Sequence, residues 1–96
     1  MIHSFGDTAT EDLYHGRQTS RVRRFPQTIL SVSLRKLDVI NAARELSDLR
    51  MPPGNRLEAL KGDREGFFSI RINDQWRIIF RWENGGANDV SIIDYH

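Results

Sequence analysis

The run Met51-Pro52-Pro53-Gly54 divides this chain into two parts that no continuous element can join. A residue before proline is pushed toward extended backbone, and consecutive prolines cannot carry an α-helix forward. On the N-terminal side, Leu30, Leu34, Leu37, Ile40 and Ala43 recur at three- and four-residue spacing. That is one apolar helical face, opposed by Arg35, Asp38 and Glu45. Pro26 fits the first turn, where its missing N–H costs nothing. The spacing therefore predicts a long helix from Pro26 that stops before Met51.

On the C-terminal side the pattern changes to strands. Leu57 to Lys61 reads as a short strand and Gly62 to Gly66 as a turn. Phe67 to Asn73 follows as a strand rich in aromatic and β-branched residues, and Asn73-Asp74-Gln75 reverses the chain. Trp76 to Glu83 is the next strand, Asn84-Gly85-Gly86 the next turn, and Val90 to His96 the last strand. Such short connections demand antiparallel neighbours. At the start, Met1 to Phe5 alternates as a short strand, and Thr8 to Gly16 has room for a single helical turn. The expected class is α+β: N-terminal helices packed on a small, mainly antiparallel sheet, in one domain spanning 1–96.

Alternation along the Trp76 strand puts Trp76, Ile78, Phe80 and Trp82 on the face that meets the helix. Arg77, Ile79, Arg81 and Glu83 fall on the other. Both tryptophans are thereby read as core rather than as base-stacking platforms. Two arginines project from the open face, the first sign of an anion site.

Charge placement says more than the net charge of +1. From His15 to Leu37 the chain carries Arg17, Arg21, Arg23, Arg24, Arg35 and Lys36 without one acid. Such a stripe binds phosphates, or it is a solvated face or a dock for an acidic partner. No cysteine is present, which excludes disulfides, thiol nucleophiles and thiolate metal sites. Met1 to Leu13 lacks an apolar signal core, and no stretch approaches the ~20 apolar residues of a membrane span. A cytoplasmic protein with no membrane association is expected. His3 and His15 have no ligand spacing, and Gly85-Gly86 is a hairpin rather than a phosphate loop, so neither metal nor cofactor is expected.

The stretch from Leu60 to Phe80, read with the terminal Asp94-Tyr95-His96, closely resembles the HigB toxins of the RelE superfamily. The opening Met1 to Phe5 and the Pro52-Pro53-Gly54-Asn55-Arg56-Leu57 segment are similar as well. Mainly Thr8 to Arg24 has no match. The resemblance implies a RelE-like fold of the microbial-ribonuclease type. It also implies a ribosome-dependent mRNA endoribonuclease that needs no metal. Its partners would be a HigA-like helix-turn-helix antitoxin and the ribosome with bound mRNA, with operator DNA reached through the antitoxin complex. The same resemblance associates Lys61, Asp94, Tyr95 and His96 with the active site, and Arg77 with phosphate.

RNA cleavage without metal needs a base for the 2′-hydroxyl, positive charge on the transition state and an acid for the leaving 5′-oxygen. His96 suits the acid, since an unperturbed imidazole changes charge at about pH 6.5 and the adjacent α-carboxylate would favour the protonated ring. A frayed terminal histidine is the alternative. Asp94 can orient that ring or act as the base; Tyr95 can stack on a nucleobase or donate to phosphate. Lys61 offers a point charge or a base, and Arg77 a bidentate clamp. Arg64 either binds RNA or pairs with Asp63 or Glu65. Arg71 and Arg81 are solvated strand residues or RNA-backbone contacts. Strand alternation sets Tyr95 on the opposite face from Asp94 and His96, so all three converge only if the chain twists or bulges near its end. Two other readings use the same fold: a ParE-like inhibitor of DNA gyrase, and a non-catalytic module that binds nucleic acid or an antitoxin.

Overall fold

The computed structural model describes residues 1–95. Helices come first: α1 (Thr8–Tyr14) and α2 (Gln27–Ala42). Strands follow as β1 (Glu58–Ala59), β2 (Phe68–Arg71), β3 (Trp76–Glu83) and β4 (Gly86–Asp94); short 3-10 turns lie between the helices, between α2 and β1, and between β1 and β2. The sheet runs β1-β2-β3-β4 with every neighbour antiparallel, so the α+β meander is as expected.

α1 begins where the Asp7 side chain accepts the Thr10 N–H at 2.6 Å. Helix α2 starts after Pro26 and buries Leu37, Ile40 and the capping Ala43 as expected, but its first turns bury Ile29 and Ser33 in place of Leu30 and Leu34. Ile29, Ser33, Leu37 and Ile40 face inward, while Leu30 is half-buried and Leu34 is 36% exposed. Both rows have helical spacing, and packing selects the one with a small residue at its centre. Ser33 is fully buried, and its hydroxyl has no hydrogen-bond partner among the described residues. Ser33→Ala should therefore raise stability by about 1 kcal/mol, through helix propensity and removal of an unsatisfied hydroxyl. A higher urea midpoint with an unchanged slope would show it; a lower midpoint would mean that the hydroxyl is bonded.

Helix α2 also ends at Ala42, well before the prolines. Ala43 is extended, and Asp48 accepts the N–H groups of Arg44 at 2.9 Å and Glu45 at 3.1 Å. This local capping starts a separate turn, Leu46–Arg50, and competes successfully with helix continuation.

The core joins Leu13, Phe25, Ile29, Leu37 and Ile40 to Ile70, Ile78, Phe80, Val90 and Ile92. Alternation in β3 holds: Ile78 and Phe80 are fully buried, with Trp76 and Trp82 half-buried at the flanks. β4 begins four residues earlier than Val90 because a bulge extends its pairing. Ile79 faces Ser91 but Arg81 faces Asn88, and Asp89 takes φ 54° within the offset. The extra residue lets both Ala87 and Val90 point inward.

The opening segment is no ladder strand. It makes two parallel bridges to β4, Ile2 with Ala87 and Phe5 with Val90. Farther along the same edge, the Thr10 hydroxyl accepts the Ile92 N–H at 2.9 Å. Much of the β4 edge is thus covered, and the strand leading to Asp94 and Tyr95 is held from outside the sheet. Among the described residues no helix is long and apolar enough to cross a membrane.

Candidate active site

β3 puts Arg77 on the sheet face away from the helices, and its side chain is only 12% exposed. Three neighbours hold it. Nη1 donates to the Ser69 hydroxyl at 2.7 Å, Nη2 donates to Glu58 Oε1 at 3.2 Å, and the guanidinium carbon lies 5.1 Å from the centre of the Tyr95 ring. Ser69 comes from β2 and Glu58 from β1, so three strands and the chain end converge on one guanidinium. Two of its five N–H groups are engaged by these bonds, and among the described residues the rest remain for an oxygen ligand.

Tyr95 also lines an open cleft of about 480 Å³ with Leu60, Lys61, Asp63 and Arg64. Lys61 precedes the Gly62–Arg64 turn, whose Gly62 has φ 66°. That left-handed bend brings Lys61 and Arg64 to the same opening. Among the described residues neither forms an ion pair, so Arg64 is not engaged by Asp63 or Glu65. Two cations facing a phenol beside a fixed guanidinium suit a phosphate group.

Other expected residues fall elsewhere. Arg71 is tied to Asp74, and Arg81 pairs with Glu83 at 3.1 Å and lies 5.9 Å from the Phe67 ring centre. Neither lines the cleft. Asp94 is in register with Trp76 and accepts from Gln75 Nε2 at 3.1 Å, while Tyr95 N–H donates to the Gln75 carbonyl at 2.6 Å. The β4 bulge lies upstream of this tail, and alternation persists through it: Asp94 follows the row of Val90 and Ile92, whereas Tyr95 joins Arg77. His96 lies outside the described residues. No group of three or more histidine, aspartate or glutamate side chains suited to a metal occurs among the described residues.

Glu58 was not singled out from sequence. Its meaning depends on the pairing of Glu58 with Ser69, which places its carboxylate against an arginine 19 residues away. No local spacing carries that information.

The family model for the RelE-like toxin of the type II toxin-antitoxin system HigB matches residues 3–96. The chain belongs to the HigB-like toxin family. Toxin HigB-1 of Vibrio cholerae is 44% identical over 87 residues, covering 91% of this chain and 90% of that one. Endoribonuclease HigB of Proteus vulgaris is 35% identical over the full length of both. Solved structures agree on the fold. The YoeB-YefM complex from Staphylococcus aureus gives a TM-score of 0.61 at 16% identity, covering all of this chain and 98% of that one. YafQ from E. coli strain BL21(DE3) gives 0.58 at 15%, covering 98% and 91%. As a HigB-like toxin of a type II system, the protein has an antitoxin as its partner.

Proposed function

We propose that this HigB-like toxin is a metal-independent mRNA endoribonuclease that acts on the ribosome in the cytoplasm, blocks translation and is neutralised by a HigA-like helix-turn-helix antitoxin. Operator DNA would be reached through the antitoxin complex. The observation that carries the reading is the assembly of Lys61, Arg64 and Tyr95 around one cleft, with Arg77 fixed behind the phenol ring. The full-length likeness to Endoribonuclease HigB supports the choice of reaction.

The 2′-oxygen of the substrate attacks the adjacent phosphorus while the bond to the 5′-oxygen breaks. Products are a 2′,3′-cyclic phosphate and a 5′-hydroxyl. Arg77, Lys61 and Arg64 balance the charge that gathers on the phosphoryl oxygens. The 2′ proton passes to Glu58, beside Arg77, and His96 returns a proton to the 5′-oxygen; Asp94, in the row of the opposite face, has a supporting role at this end of the strand through Gln75. Tyr95 packs against the guanidinium and lines the same opening. Arg71 and Arg81, each already paired, stand outside this catalytic set; their proposed contacts are with RNA backbone farther along the sheet. A ParE-like gyrase inhibitor or silent binding module has no use for a cleft of this composition.

Mapping 5′ ends of transcripts on ribosomes treated with purified protein should reveal discrete cuts, each carrying a 5′-hydroxyl. A 2′-deoxy nucleotide at the cleavage position should abolish the cut. Continued cleavage of that substrate would rule out the 2′-oxygen as nucleophile, and intact transcripts beside inhibited gyrase would favour the other class.

A further inference from the structure

The basic stretch that follows α1 is organised around one buried acid. Asp12 is 3% exposed, and its carboxylate accepts from Arg17 Nη1 at 3.3 Å, Thr19 Oγ1 at 2.9 Å and Arg21 Nε at 3.2 Å. The Arg17 N–H closes the loop by donating to the Asp12 carbonyl at 2.9 Å. Thr19, and then Arg17 and Arg21, hold the carboxyl below the usual aspartate range against the opposing effect of burial. Arg17 and Arg21 are therefore committed to shaping the loop, although each remains about half exposed.

What the loop presents is the 3-10 turn Val22–Arg24. Its apolar members point inward: Val22 is 6% exposed and the following Phe25 8%. The Phe25 ring meets Trp76 edge-on at 5.9 Å between centroids, and Trp76 is the register partner of Asp94. The turn therefore sits at the end of the sheet where the chain reaches Tyr95, on the helical side. Lys61 and Arg64 approach Tyr95 from the other side. Arg23 and Arg24 are exposed, and neither forms an ion pair among the described residues. A turn that buries both apolar residues and offers only guanidinium suits a polyanion better than a protein interface, whose centre is apolar.

We propose that Asp12 is a positioning residue: it locks the loop so that Arg23 and Arg24 form a phosphate-binding arm for the RNA strand beside the cleft. The proposal rests on the RNA-cleaving reading and adds a second contact surface to it. A strand whose reacting phosphate lies in the cleft carries further phosphates past the chain end, and the arm is placed to take them.

The test uses the full chain with R23Q/R24Q, Asp12→Asn and the milder Thr19→Val. Affinity for a labelled single-stranded RNA oligonucleotide is measured in a His96→Ala background, and cleavage of ribosome-bound mRNA in the active one. R23Q/R24Q should weaken oligonucleotide binding about tenfold and lower the slope of log affinity against log salt by about 1.5, for two lost phosphate contacts. It should raise the half-saturating concentration for cleavage without changing the saturated rate. Asp12→Asn should shift the half-saturating concentration likewise, and Thr19→Val less.

Wild-type RNA affinity and salt slope in R23Q/R24Q would overturn the proposal, as would a variant that keeps RNA binding and loses only neutralisation by the antitoxin. Normal behaviour of both Asp12→Asn and Thr19→Val beside a weakened R23Q/R24Q would overturn the role of Asp12. If wild type leaves ribosome-bound mRNA uncut while R23Q/R24Q still weakens oligonucleotide binding, the cleavage reading falls and the arm stands.

Discussion

Replacing Arg77 by alanine is expected to slow saturated cleavage of ribosome-bound mRNA by about 10²- to 10³-fold, the usual effect of removing one fixed charge from a developing oxyanion. The reason is its preorganisation. At 12% exposure and with Ser69, Glu58 and Tyr95 in place, the guanidinium meets the transition state with little left to reorganise. Arg77→Lys should recover little of the loss. An ammonium keeps the charge but cannot bond Ser69, Glu58 and a phosphate oxygen in one plane. The fold should survive, since the Glu58 left behind is half exposed and regains water. Single-turnover rates with thermal midpoints measured in parallel would check this; activity of Arg77→Ala within a few-fold of wild type would remove the residue from the site.

The largest stability loss outside the apolar core is expected at Asn55. It is fully buried, and its amide donates to the carbonyls of Leu49 and Met51 at 3.2 Å each, while its oxygen accepts from the Lys36 ammonium. One side chain thereby ties the turn Leu46–Arg50, the proline segment and helix α2 together. Burial lowers the Lys36 pKa, with Arg35 and Arg71 adding to the effect, so that ammonium has particular need of its acceptor. Asn55→Ala strands two carbonyls and a half-buried cation, at a cost of about 2–4 kcal/mol. For a chain of this length that is a fall in melting temperature of roughly 10–20 °C. A shift of only a few degrees would mean that water replaces the amide. Asn55→Asp should be no milder than Asn55→Ala, because it keeps the acceptor for Lys36 but turns the amide donor into a buried acceptor against the Leu49 and Met51 carbonyls.

The strand half was legible because its signals are local. Gly62 to Gly66, Asn73 to Gln75 and Asn84 to Gly86 marked the turns, and period-two alternation put Ile78 and Phe80 inside and Arg77 outside. Helix α2 was legible in existence and in the inward side of its second half, Leu37 and Ile40, but not in its first turns, because the choice between Leu34 and Ser33 belongs to the closeness of packing. Its C-terminal end was hidden in the competition between Asp48 and the helical backbone for the same N–H groups. For the site, family resemblance indicated Lys61, Tyr95 and Arg77, and alternation indicated that Tyr95 and Asp94 part company. Glu58 stayed hidden because strand register is a long-range property. Asp12 stayed hidden because an acid before a basic stretch looks like any surface charge until its burial is known.

The two bridges that the opening segment makes with β4 have a consequence in time rather than in space. Residues 2 and 5 find their partners at 87 and 90, so these pairings must wait until distant parts of the fold have come together. Contacts of such sequence separation form late and slowly. The strand they secure is the one that carries Tyr95 to Arg77. Completion of the cleft is thereby tied to the longest-range contacts of the fold, and the pairing of Tyr95 with Arg77 should be among the last features to settle as the chain folds.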